Sequence, residues 1–251
     1  MKIFKSTFPN KPWSMLMGLL ALTSVVAYSQ PSRAAAYDPA AAFEAGWLSS
    51  SNPNGVWSSG YSSTLGGSVT LYTTQINGAD SANQQMWVAP SVNCCTASPS
   101  VGFNNGAAFN DGNVAQAANQ ILLVSSVFQN LVTNLIFTAP TSGSYSLAGS
   151  FIGDQQGINV GVDVLMNSSV LFSSNVTSFG QIVPFNSNIT LAAGDTLTFA
   201  VLQGPGTQNT GLDVSISATP LPATWGMMLL GLGVLGFMGY RRSRKDGVLA
   251  T

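Results

Sequence analysis

Short runs in which apolar and polar residues alternate fill the long central part of the chain. In residues 211–218, for example, Leu212, Val214 and Ile216 share one face while polar side chains occupy the other. Residues typical of turns separate the runs, as at 140–143. Regular short strands between turns favour an all-β fold, an antiparallel β-sandwich, over a helical or α/β fold.

The body that these runs define, residues 37–218, is 182 residues long, enough for one domain with its own core. Its Asn-, Gly- and Ala-rich middle, 93–119, is predicted to form loops, and 116–127 is a candidate helix. Strands are predicted at 56–61, 68–74, 85–88, 132–138, 144–151, 160–166, 170–174, 182–191, 196–202 and 211–218.

The N-terminal end has the pattern of a secretory signal peptide. Three lysines within the first 11 residues precede a stretch, 15–27, that is apolar apart from one Thr and one Ser. An A-x-A cleavage site follows at 34–36. Residues 1–36 are therefore predicted to be removed, so that the mature protein begins near Tyr37 with its body outside the cytoplasm.

The C-terminal end is predicted to form a single transmembrane helix over residues 223–240. At about 1.5 Å per residue, these 18 residues cover roughly 27 Å, close to the hydrocarbon thickness of a bilayer. A buried core helix is the alternative, but core helices are usually amphipathic and this span lacks a polar face. A basic cluster then stops transfer and keeps residues 246–251 in the cytoplasm. The cluster consists of Arg241, Arg242, Arg244 and Lys245.

The residues directly before and at the start of the span resemble a known sorting signal. They are Pro220, Leu221, Pro222, Ala223, Thr224 and Trp225. With the Gly- and Leu-rich span and the basic cluster, they make residues 219–245 similar to the PEP-CTERM sorting tail of Gram-negative bacteria, although Leu221 stands where that family usually has Glu. The resemblance implies processing by an exosortase, a membrane-embedded transpeptidase-like enzyme. Such tails are also classed as an ice-binding protein C-terminal domain, a label that says nothing about affinity for ice.

A Gram-positive sortase signal is the alternative, because residues 221–224 spell L-P-x-T. That signal requires Gly at the next position, where this chain has Trp225. The exosortase interpretation is therefore favoured.

The body also resembles a group of secreted jelly-roll domains that occur with the same kind of tail. The matching pieces, in order, are 52–58, 137–140, 143–145, 192–197 and 210–213. The resemblance implies a jelly-roll-like ectodomain with an architecture like that of carbohydrate-binding modules. A likeness of fold does not establish binding.

Charge divides the chain sharply. All eight Lys and Arg residues lie in the two ends, and the body contains none. With eight acidic and no basic residues, the body carries a net charge of −8. Nucleic acid is therefore excluded as a partner of the body, because nothing basic is present to neutralise phosphates. The acids are Asp38, Glu44, Asp80, Asp111, Asp154, Asp163, Asp195 and Asp213.

Salt bridges within such a body are impossible, so a buried carboxylate must be held by backbone or hydroxyl donors or by a bound cation. Asp154, Asp163 and Asp213 are the candidates for a structural calcium site. The alternative is that these carboxylates are solvated on the surface.

The residue types present exclude most catalytic chemistry. The chain has no His and the body has no Lys or Arg, which excludes Ser-His-Asp, Cys-His and Ser-Lys arrangements and zinc sites that use His. A glycosidase needs only two carboxylates, and the body has enough acids for a pair, but none lies in a recognisable motif.

The adjacent cysteines Cys94 and Cys95 are a further candidate site. Exported thiols usually pair, but adjacent Cα atoms lie about 3.8 Å apart, closer than in most disulfides. A strained vicinal disulfide in a loop, an intermolecular bridge and two free thiols all remain open.

Aromatic side chains are candidates for stacking on sugar rings, and we expect a platform that includes Trp57 or Trp87. The alternative is that these rings pack in the core or at its rim. The full set of candidates is Trp47, Trp57, Tyr61, Tyr72 and Trp87.

These observations predict an exported, exosortase-sorted protein of the cell envelope or extracellular matrix. Its body is expected to be non-enzymatic and to bind exopolysaccharide. The alternative is a secreted, carboxylate-dependent glycosidase that acts on polysaccharide.

Overall fold

The computed structural model describes residues 35–45, 51–77, 83–89, 99–126, 130–219 and 231–237. The chain divides into two units, one running from Ala34 to Thr219 and the other formed by Met1–Arg33 with Pro220–Thr251. The first unit contains the expected body and nearly all of the described residues.

One short helix and many strands make up the first unit. The helix, α1, is Pro39–Glu44; Asp38 caps it, since its carboxylate accepts a hydrogen bond of 2.8 Å from the Ala40 backbone. The strands are β1 Ala36–Tyr37, β2 Trp57–Ser62, β3 Thr70–Leu71, β4 Thr74–Asn77, β5 Gln84–Val88, β6 Ser100–Asn104, β7 Phe109–Asn110, β8 Ala115–Gln116, β9 Ile121–Val124, β10 Val132–Thr138, β11 Gly143–Gly153, β12 Val160–Met166, β13 Ser169–Val176, β14 Ile182–Leu191, β15 Thr196–Val201 and β16 Asn209–Thr219.

Two large antiparallel sheets contain most of the described strands. In the eight-stranded sheet the order is β14-β11-β16-β9-β6-β5-β4, with β1 paired to β16. In the six-stranded sheet it is β13-β12-β15-β10-β2-β3, and β7 and β8 form a small ribbon of their own. The prediction of an all-β fold with antiparallel sheets is confirmed.

The main core lies between these sheets. Leu212 and Ile216 of the eight-stranded sheet and Leu135 and Phe199 of the six-stranded sheet belong to one buried apolar cluster. This is the consequence of the two-residue period of a strand, which sends alternate side chains to the inner face. The arrangement is consistent with a β-sandwich.

Several strand predictions are confirmed, including 132–138, 160–166 and 182–191, which match β10, β12 and β14. The candidate helix at 116–127 is wrong, since Ile121–Val124 is a strand. All four residues of that strand are buried, and it is paired on both sides, so it lacks the alternation of a half-exposed strand.

Two further predictions need correction. The stretch 93–119 is not only loop, because it contains β6, β7 and β8. The strand predicted at 68–74 is reduced to β3 and the first residue of β4. Strands of two residues are too short to produce a recognisable alternation.

The predicted terminal segments are described only in part. Residues 231–237 form a short exposed helix within the predicted span 223–240. Among the described residues, no helix combines the length and the apolar character that crossing a membrane requires. Residues 1–34 of the predicted signal peptide, the sorting signal at 220–225 and the basic cluster at 241–245 lie outside the described residues.

Candidate functional site

The two tryptophans proposed as a sugar-binding platform lie in the core. Trp57 and Trp87 are each only 3% exposed and belong to the main apolar cluster. The Trp57 ring packs against Phe137 on the neighbouring strand β10, with 5.4 Å between the ring centroids. An exposed platform at either position is therefore wrong, and the core alternative holds.

The other aromatic candidates do not replace that platform. Tyr72 is fully buried, and half-buried Tyr61 lies 5.7 Å from its ring. Trp47 lies outside the described residues, as do Cys94 and Cys95.

The three candidate calcium ligands have different environments. Asp154 and Asp163 are 4% and 3% exposed, whereas Asp213 is exposed on β16. Asp154 follows the end of β11 in the eight-stranded sheet, while Asp163 lies on β12 in the six-stranded sheet. Within the described part of the chain, no group of three or more His, Cys, Asp or Glu side chains could hold a metal ion.

Among the described residues, Asp154 has the most perturbed carboxyl group. Burial raises its pKa from the ordinary 3.8 to about 8, against a smaller opposing effect of the Gln120 side chain. Its Oδ2 atom has no hydrogen-bond partner among the described residues. Gly211 makes this packing possible, because a Cβ atom there would overlap the Gln120 amide and lie 2.5 Å from Oδ2. Burial also raises the pKa of Asp163, and a hydrogen bond with Ser173 acts in the opposite direction.

An uncharged depression of about 320 Å³ is a candidate binding site. It lies on the outer face of the six-stranded sheet, and we call it the polar depression. Strand β10 places Leu135 and Phe137 in the core, so Asn134 and Ile136 point the opposite way. The residues lining the polar depression are Gly66, Gly67, Val69, Asn134, Ile136, Asn167, Ser168, Thr196 and Thr198.

The Asn134 side chain is held in one orientation at the base of this site. It is 2% exposed, and its Nδ2 atom donates to Ser62 Oγ and to the Val132 carbonyl oxygen, both at 3.0 Å. Because a backbone carbonyl only accepts, the amide nitrogen must lie on that side. The Asn134 Oδ1 atom takes no hydrogen bond from the described residues and is not among the enclosed atoms without a partner, so it remains accessible from the depression.

The turn between β12 and β13 forms one wall of the polar depression, beside the base formed by β10. Asn167 has a positive φ of 55°, which Asn tolerates better than most residues. Its Oδ1 atom accepts from the Thr196 backbone at 3.0 Å, and its Nδ2 atom donates to Asp195 Oδ1 at 3.2 Å. These bonds fix the turn against β15, and the turn presents exposed Ser168 to the site.

The loop that joins β2 to β3 forms the other wall of the polar depression. Leu65 packs on an outer apolar cluster of Val132, Leu165 and Ala200, which anchors the loop to the sheet. Gly66, with φ at 70°, passes so close to the turn that a Cβ atom would lie 3.2 Å from the Ser168 carbonyl oxygen. The positive φ favours glycine at this position, and the close approach adds to that preference.

A second depression, of about 330 Å³, is lined by residues of α1, of the segment 117–121 and of β16. Asp38, Glu44 and Asp213 contribute to its lining, so it is acidic where the polar depression is neutral. Sequence reasoning missed both sites. The only available signal for the first was the polar Asn134 within strand β10, next to Leu135 and Ile136.

Comparison with known proteins identifies the tail but not the body. Residues 218–245 match the PEP-CTERM protein-sorting motif, which implies export to the cell envelope or surface. No curated protein matches the chain. Among solved structures, the K3 cleaved adhesin domain of Lys-gingipain from Porphyromonas gingivalis shares 14% identity, over 44% of this chain and 87% of that one, at a TM-score of 0.30. A family 35 carbohydrate-binding module from Clostridium thermocellum shares 12% sequence identity, over 59% of this chain and 100% of that one, at a TM-score of 0.27. Similarities this low carry no argument about function.

Proposed function

We propose that this chain is an exported surface protein, which an exosortase-like enzyme sorts to the cell envelope or extracellular matrix. There its body acts without catalysis and binds exopolysaccharide. The match of residues 218–245 to the sorting motif carries the sorting part of the proposal. The predicted signal peptide at the other end of the chain supports export.

The composition of the body supports a binding role. Without His, Lys or Arg, it has no nitrogen base for catalysis and no cationic surface for polyanions. Its polar surface consists of amides, hydroxyls and a few carboxylates, which suit hydrogen bonding to sugar hydroxyls. We therefore expect the ligand to be a polysaccharide outside the cell.

Sorting can be tested by measuring the intact mass of the surface-exposed protein in a bacterium that has an exosortase. We expect a product that ends near residues 220–224 and lacks the basic cluster. Deleting residues 220–245 should release the body unattached into the periplasm or medium. Surface protein that still carries Arg241 to Lys245 would indicate a plain membrane anchor instead.

The matched variant for this test is Leu221→Glu, which restores the residue usual in the sorting family. If an exosortase reads the signal, this variant should be processed at least as completely as the natural chain. Slower processing of Leu221→Glu would contradict the assignment.

A polysaccharide-acting enzyme is the second candidate, favoured by one observation. The raised pKa of Asp154 is a property that general acids of glycosidases share. Against it, Asp154 lines neither depression, and its Oδ2 atom is enclosed. Release of reducing ends from a bound polysaccharide, abolished by Asp154→Asn, would favour the enzyme over the binding module.

A further inference from the structure

We propose that the polar depression binds one neutral sugar unit, with Asn134 Oδ1 accepting a hydrogen bond from a ligand hydroxyl. This inference rests on the proposed binding of exopolysaccharide and assigns it a location and a ligand class. It replaces the tryptophan platform with a site made of an amide and hydroxyl groups.

The fixed orientation of Asn134 selects for a ligand that donates a hydrogen bond. Both N–H groups are already engaged by Ser62 and Val132, so the side chain offers only its carbonyl oxygen. This oxygen is accessible from the depression and accepts no hydrogen bond from the described residues, so a ligand hydroxyl that reaches it can donate to it. Sugar hydroxyls can donate, whereas a carboxylate or sulfate group presents acceptors only.

The walls of the site supply the complementary groups. The hydroxyls of Thr198 and Ser168 have no hydrogen-bond partner among the described residues, and each can both donate and accept. Ile136 and Val69 provide an apolar surface for the C–H face of a sugar ring without an aromatic residue. The volume of about 320 Å³ lies at the lower end of the range for small-ligand pockets, about 300 Å³ and above.

The electrostatics of the site disfavour acidic sugars. None of the residues that line the polar depression is charged, and Asp195, held by Asn167, is close to its rim. The body as a whole carries no basic residue and a net charge of −8. A uronate or sulfated unit would therefore lose its hydration without meeting a compensating cation.

The test is affinity electrophoresis of the full chain, solubilised in a detergent that has no sugar headgroup. The probes are three neutral polysaccharides, dextran, galactomannan and xyloglucan, and two acidic ones, alginate and polygalacturonate. We expect retardation by at least one neutral probe and none by the acidic probes. Binding only to the acidic probes would overturn the inference while leaving the proposed function in place, and binding to no probe would count against both.

Thr198→Val is the main variant, because it removes a hydroxyl and keeps the shape of a side chain that is 9% exposed. Loss of one hydrogen bond should weaken binding of the neutral probe by about 5- to 10-fold. Thr190→Val, at an exposed position on β14 of the other sheet, is the matched control and should bind like the natural chain. Ser168→Ala should also weaken binding without lowering the melting temperature, because Ser168 is exposed.

Asn134→Ala provides the final check, with the melting temperature measured alongside. Its binding should be lost even at temperatures where the variant is fully folded. If Thr198→Val, Ser168→Ala and Asn134→Ala all bind a neutral polysaccharide as tightly as the natural chain, the polar depression is not the site. The proposed function would survive that outcome, because the polysaccharide would then bind elsewhere on the body.

Discussion

Replacing Asp154 by Asn should change how the stability of the body depends on pH. The folded state holds a proton on Asp154 up to a pH of about 8, because burial raises the pKa of this carboxyl group from 3.8. In the unfolded chain the same group loses its proton near pH 4. Between these values the folded state binds more protons than the unfolded state, so the free energy of unfolding must fall as the pH rises.

The size of the effect follows from the same two values. One pKa unit corresponds to about 1.4 kcal/mol, so a difference of about four units removes roughly 5 kcal/mol of stability between pH 4 and pH 8. Asp163 contributes in the same direction, since burial raises its pKa as well. In Asp154→Asn, only the loss of stability due to Asp154 disappears, because the Asn side chain cannot ionise.

The assay is urea unfolding followed by tryptophan fluorescence at pH 5, 7 and 9. At pH 5 the variant and the natural chain should differ by only about 1–2 kcal/mol, because folded Asp154 is still neutral and pH 5 is only about one unit above the pKa of the unfolded group. At pH 9 the variant should be more stable by several kcal/mol. Asp213→Asn, at an exposed position on β16, is the control for the removal of one carboxyl group from the body.

Two results would contradict a proton held on Asp154 in the folded body. One is a natural chain whose free energy of unfolding rises from pH 5 to pH 8. The other is an Asp154→Asn variant with the same slope against pH as the natural chain. Either would mean that the folded body does not hold the proton on Asp154.

Three other predictions concern packing and composition. Gly211→Ala should lower the stability of the body by about 1–3 kcal/mol, because its Cβ atom would collide with the side chains packed over it. Gly143→Ala is the control, since a Cβ atom there meets nothing within 4 Å, and thermal melts of both variants check the difference. Trp57→Ala should cost about 3–5 kcal/mol in urea unfolding, as expected for a core aromatic, and a fully stable variant would contradict its burial. Trypsin should cut nowhere between Arg33 and Arg241 even in urea, and peptide mapping that finds internal tryptic ends would disprove it.

Alternation along the chain was enough to predict the strands that have one face in the core and one face towards solvent. Strand β14 is an example, since its buried Val183 and Phe185 alternate with exposed neighbours. The same approach failed for Ile121–Val124, which is buried on both faces and therefore shows no period. It also failed for the two-residue strands, which exist only because a partner strand lies beside them.

The chemistry that the body lacks and the charge that it carries follow directly from its composition. Without basic residues in the body, no ion pair can compensate a buried carboxylate, whatever the fold. The sorting tail was likewise predicted from the sequence, through its resemblance to a known signal made of consecutive residues.

Which side chains are accessible depends on how the strands and loops pack together in the folded body. The two-residue period places Trp57 and Asn134 on definite faces of their strands, but it does not say which face meets the second sheet or a covering loop. Trp57 entered the core, while Asn134 faces outward and is buried beside the loop between β2 and β3. Burial depends on contacts between segments far apart in the chain, and for that reason the polar depression and the proton on Asp154 could not be found from the sequence.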